Sequence, residues 1–127
     1  DSVNITYTVK VRAQEPEAYA AVQRCIPGDL MAGGERVEGR VTQVTSEPST
    51  FYVTAADASG NSVLMPVTND ELVDLTFTIE AVVDSDPDGG MLTLVGTQEV
   101  RIGKSHIVKT DQIEMTGTIL DVHWGDE

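Results

Sequence analysis

The sequence predicts a mainly β fold: a small barrel-like or two-layer sheet domain of about eight strands, with one short helix near residues 16–24. Three observations predict it. Val3, Ile5, Tyr7, Val9 and Val11 alternate with polar residues, and Val73, Leu75, Phe77, Ile79, Ala81 and Val83 alternate with Asp74, Thr76, Thr78 and Glu80. Period-two alternation of this kind marks a strand with one buried and one solvated face. Gly-, Asn-, Asp- and Pro-containing turn strings punctuate the rest, so the strands are many. That many strands in 127 residues must hide their edges, which a closed or nearly closed barrel or a two-layer sandwich does best.

The elements follow in chain order. After the first strand, Glu15-Pro16-Glu17 opens a helix over Ala18 to Arg24. Proline suits a first helical turn, acids suit its start and arginine its end. Ala18, Val22, Cys25 and Ile26 share one face, and Pro27-Gly28 stops the helix. Beyond Gly33-Gly34, strands are expected over Arg36 to Thr45 and Phe51 to Ala55. The string DASGN, Asp57 to Asn61, is a turn, and Ser62 to Val67 returns as its hairpin partner. Thr68 to Glu71 reads as one turn of helix or a loop, and Leu72 to Val83 as a strand. An acidic loop, DSDPDGG, follows over 84–90, and Met91 to Gly96 folds back as a hairpin. Val100 to Ile102, Ser105 to Lys109 and Ile113 to Trp124 are the remaining strands.

Two of these strands carry an internal glycine. Gly39-Arg40-Val41-Thr42-Gln43-Val44 and Gly117-Thr118-Ile119-Leu120-Asp121-Val122 each follow a glycine turn and shift apolar phase three residues after Val41 or Ile119. Glycine within a strand marks a bulge, a bend or a close backbone approach, so each strand is expected to turn a corner. The pair reads either as an internal repeat or as the glycine turns common before aliphatic strands.

Composition bounds the function. The chain forms one domain, residues 1–127, and carries a net charge of −13 at pH 7 from 8 Lys+Arg against 21 Asp+Glu. Such a surface repels phosphate backbones and anionic lipid, which argues against nucleic acid as a partner. The lone Cys25 allows no intrachain disulfide, and its place at a helix C-terminus favours packing over reactivity. The glycines at 28, 33 and 34 lack the Gly-Lys-Ser/Thr of a phosphate loop.

One cluster carries possible metal chemistry. Asp84, Asp86 and Asp88 alternate ahead of Gly89, as carboxylates do at the start of a curled loop that converges on Ca²⁺. Val95 stands where an EF-hand needs its bidentate acid, so Glu99 or another distant acid would have to complete the shell. The competing reading is a solvated hairpin tip. Ser105 and His106 point to opposite faces of a strand and so are not a nucleophile–base pair, and His123 beside Trp124 suits a surface or an interface. One member of the Phe51-Tyr52 pair must face outward if its strand is regular.

The order of features carries a resemblance. Val9-Lys10-Val11-Arg12, Pro16-Glu17, Gly28-Asp29, Gly39-Arg40-Val41, Arg101-Ile102-Gly103-Lys104, Lys109-Thr110 and Gly117-Thr118-Ile119-Leu120-Asp121-Val122 occur in sequence. In this the chain resembles an uncharacterised bacterial domain-of-unknown-function family of the 4330 series, found largely in Gram-positive anaerobes and relatives. Its members typically have a short N-terminal stretch, one membrane span and then a domain like this one. The resemblance implies an extracytoplasmic, membrane-tethered position and carries over no functional residue. The expected function is a non-catalytic binding or assembly module with a protein partner at the cell envelope. An apolar surface patch of more than a few hundred Å² would support it. The alternatives are a calcium-stabilised module and an enzyme using acids such as Asp57, Asp70 and Glu71.

Overall fold

The computed structural model describes residues 2–84 and 93–125. Its elements are β1 (Ser2–Gln14), α1 (Pro16–Gln23), β2 (Gly28–Ala32), β3 (Glu35–Ala56), β4 (Ser62–Asp84), β5 (Leu94–Val95), β6 (Gln98–Glu99), β7 (Ser105–Lys109) and β8 (Glu114–Trp124). The fold is mainly β, with eight strands and one short helix, as expected.

Six strands form one antiparallel sheet in the order β2-β3-β4-β1-β8-β7. Alternation puts one face of each strand inside. Tyr7 pairs with Ile79, Val9 with Phe77 and Val11 with Leu75, and all six are buried. Val41, Ile119, Leu30 and Val108 fill the same interior from β3, β8, β2 and β7. Each such side chain contributes about 1.5–3 kcal/mol relative to exposure, so this interior dominates the stability. The sheet curls until β2 approaches β7, giving a nearly closed barrel. A Cβ placed on Gly28 would lie 3.3 Å from the Thr110 side chain.

The two glycine-bearing strands bend where their phase shifts. Thr42 is the extra residue between Val41 and Gln43 in the β3–β4 pairing, and Leu120 is the extra residue between Ile119 and Asp121 against β1. The glycines two residues before each pair allow the close approach. A Cβ at 39 would lie 2.8 Å from the Glu80 carbonyl oxygen, and one at 117 would run into the Lys10 carbonyl. The strand order is accordingly symmetric: β2-β3-β4 on one side matches β7-β8-β1 on the other.

The helix and the short hairpin add their apolar residues to this interior. Helix α1 has Pro16 in its first turn and buries Val22, with Tyr19 packed on the core. The short β5–β6 hairpin buries Val95, and Val100 follows it inward. Next to it, the Gln98 side-chain amide donates to the Ile107 carbonyl (3.0 Å) and accepts from the Ile107 N–H (2.7 Å). A side chain thereby occupies hydrogen-bonding groups that an edge strand otherwise leaves open.

Three local expectations are corrected. The separate strands over 36–45 and 51–55 are one strand, β3, and those over 62–67 and 72–83 are one strand, β4. Residues 68–71 form neither helix nor loop: Asp70 to Leu72 are extra residues in β4 between the Ser49–Asn69 and Pro48–Val73 pairs. Val100 to Ile102 is not a strand: Ile102-Gly103 form a turn, closed by Lys104 N–H donating to the Arg101 carbonyl (3.0 Å). The expected hairpin over Met91 to Gly96 lies partly outside the described residues. Its described part is the β5–β6 pairing of Leu94 with Glu99 and Val95 with Gln98.

Candidate functional site

Beyond the Asp70–Leu72 bulge, β3 and β4 leave the barrel together as a two-stranded arm. Pairing runs from Ser49↔Asn69 to Ala56↔Ser62, and among the described residues no other strand accompanies it. At the strand rise per residue its length is about 25 Å. The tip is tightly built: the Asp57 carboxylate accepts from the N–H groups of Ser59 and Asn61 (both 2.9 Å), and Gly60 adopts φ +83°.

The arm is apolar on both faces. Cross-strand partners share a face, so Phe51, Val53, Val63, Met65 and Val67 line one side, and Tyr52, Leu64 and Pro66 the other. Seven of the twelve exposed large hydrophobic residues among those described lie here, with Tyr52 67% and Leu64 71% exposed. Residues 49–69 contain one charged side chain, Asp57, in a chain of net charge −13. Both members of the Phe51-Tyr52 pair are exposed, because past the barrel neither face packs on another element among the described residues.

A polar cluster fixes the arm where it leaves the barrel. Asp74 is 1% exposed, although alternation placed it on the solvated face. Its Oδ1 accepts from the Ala13 N–H (2.8 Å), and its Oδ2 lies 3.7 Å from Lys10 Nζ and 3.8 Å from Arg12 Nε. Burial acts to raise its pKa, but the Ala13 N–H, the Ser49 hydroxyl and the two cations outweigh it and hold the carboxyl below its ordinary value. Ala13 has φ +57°, a conformation rare for a residue with a Cβ, at the point where β1 slips register. Lys10 also reaches Glu47 (3.5 Å), and Arg12 donates to the Thr50 carbonyl, so β1 is clamped to the root of the arm.

The candidate site residues are dispersed. Asp84 is exposed at the end of β4, while Asp86 and Asp88 lie outside the described residues. Glu99, the distant acid proposed to complete a calcium shell, is engaged by Arg101 (2.8 Å) and Lys104 (3.7 Å). Among the described residues no group of three or more His, Cys, Asp or Glu could hold a metal ion. Asp57 stands at the arm tip and Asp70 and Glu71 at its root, so folding separates them. Cys25 is half-buried, its thiol donating to the Ala21 carbonyl (3.4 Å).

The histidines differ. His123 is exposed on β8. His106 is buried, opposite in direction to exposed Ser105, with its Nε2 2.9 Å from the Tyr7 hydroxyl and its ring edge-on to that tyrosine. Burial lowers its pKa to about 4 and pushes the Tyr7 phenol well above its ordinary value, so both are neutral near pH 7. A groove of about 400 Å³ on the outer face of the sheet carries Arg40, Glu80, Asn4, Thr6 and Thr42, and Arg40 there also faces Asp29 (3.7 Å).

The sequence signal for the arm was present: Val63-Leu64-Met65-Pro66-Val67 is apolar at successive positions, without the alternation of a half-buried strand. No helix among the described residues is long and apolar enough to cross a membrane. No curated protein and no solved structure matches the chain. The six-stranded barrel with its arm is therefore the form taken here by a family defined in sequence: the match spans residues 1–123, and the chain belongs to the family described as Domain of unknown function (DUF4330).

Proposed function

We propose that this domain is a non-catalytic interaction module that the full-length protein holds, membrane-tethered and extracytoplasmic, at the cell envelope, and that its arm is the element that binds protein. The observation that carries the reading is the concentration of exposed apolar side chains on one nearly uncharged, firmly rooted hairpin. Contiguous exposed apolar surface of this kind marks interaction sites. The tether rests on the character of the family.

A photo-crosslinking residue at Leu64 in the full-length protein, in its own cells, tests the arm. Adducts are expected from Leu64 and not from exposed Asp121 on the barrel. Equal yields from the two positions, or none from Leu64, would overturn the reading. Fractionation tests the tether: the protein is expected with membranes and open to protease added outside intact cells. Recovery in the soluble cytoplasmic fraction would sink it.

A further inference from the structure

We infer that the partner of the arm is the arm of a second copy, paired edge to edge along β3 in a two-fold, four-stranded antiparallel sheet. This rests on the reading of the arm as an interaction element. The two edges of the arm are not equivalent. Pro66 has no N–H, and it pairs with Tyr52 at a position whose peptide groups point away from β3, onto the free edge of β4. That edge is blunted. Pro48 at the root of β3 has the same phase as Tyr52, which puts the N–H and C=O groups of Tyr52 and Thr54 on the open edge of β3.

An antiparallel two-fold centred on Val53 sets Tyr52 opposite Thr54 of the second copy, and the reverse, each pair exchanging two main-chain hydrogen bonds. With β3 open at Tyr52 and Thr54 and β4 closed at Pro66, such pairing ends at a dimer and does not propagate. A lone two-stranded hairpin is marginal in water, whereas four strands with apolar faces are not.

Charge selects the same partner. A basic protein would be drawn to the acidic body, not to a segment whose one charge, Asp57, is at the tip. Two copies, each at −13, can approach only where that charge is absent, and the arm is such a place. A bilayer fits poorly, because the polar tip would enter first and open edges are not tolerated in hydrocarbon.

Sedimentation of the chain from micromolar to millimolar concentration tests this. The mass is expected to rise from one chain to two. Thr54→Pro, which removes the edge N–H, and Thr54→Lys, which sets like charges beside the axis, are each expected to weaken the dimer by about tenfold or more. The melting temperature checks that both variants fold, and Thr54→Lys changes only an exposed side chain. In a Cys25→Ser background, Val53→Cys is expected to cross-link to itself and Met65→Cys, on the strand away from the axis, far less.

A chain that stays monomeric throughout overturns the second copy as partner. The arm reading survives that result if Leu64 still cross-links to another protein in cells, and falls with it if Leu64 cross-links to nothing. A dimer indifferent to both Thr54 variants, or equal cross-linking at 53 and 65, places the contact elsewhere and also overturns the inference.

Discussion

His106 and Asp74 are the two residues whose ionisation the fold has altered most usefully for experiment. The folded state resists protonating His106 until about pH 4, whereas the unfolded chain takes that proton near 6.5. The unfolded state thus binds more protons between these values, and stability must fall as pH drops through them. The loss should be on the order of 2–3 kcal/mol, read by chemical denaturation at a series of pH values, and His106→Phe should flatten the curve. Asp74 works in a lower window. Its folded pKa lies below the ordinary value, so its contribution is complete above roughly pH 4 and is lost as pH falls through the folded value. Asp74→Ala leaves Lys10, Arg12 and the Ala13 N–H without their acceptor and should cost about 3 kcal/mol, with faster amide exchange at the arm root. Neither role was legible in the sequence. Alternation correctly turned His106 away from Ser105, but its partner Tyr7 is 99 residues distant. The same alternation put Asp74 in solvent, because it registers the pleat and not the bulge of β1 that closes over the carboxylate.

At the scale of elements, close approach and edge protection decide which substitutions the sheet accepts. Gly117→Ala sets a Cβ against the Lys10 carbonyl and should cost about 1–3 kcal/mol by thermal or denaturant unfolding. Gly33→Ala meets nothing in space and costs only its positive φ, which makes it the control. Gln98→Ala frees the N–H and C=O of Ile107 and should cost about 1–2 kcal/mol, with amide exchange rising first along β7. The bends at Thr42 and Leu120 were readable in advance, since the phase shift after Gly39 and Gly117 is written in the apolar residues themselves. The continuity of β3 and β4 was not. Alternation exists only where one face is buried, and at Ser46 to Ser49 and Thr68 to Glu71 the strands pass from barrel to arm with turn-like composition. The β5 and β6 strands, two residues each, are too short to show a period.

For the whole molecule, the arm adds little to the interior, so replacing residues 50–68 by a two-residue Asn-Gly turn should leave the melting temperature within a few degrees while abolishing self-association. The run of β1 gives the molecule a direction. Ser2 pairs with Asp84, and Gly125 N–H donates to the Asn4 carbonyl (2.8 Å), so both described ends of the chain emerge side by side. Gln14 pairs with Val73, at the opposite pole, where the arm departs. An anchor attached at either end would therefore aim the arm outward, and antiparallel joining would set two anchors at the far extremities of a rod of roughly 100 Å. Such a rod spans a gap between facing surfaces more readily than it lies flat along one.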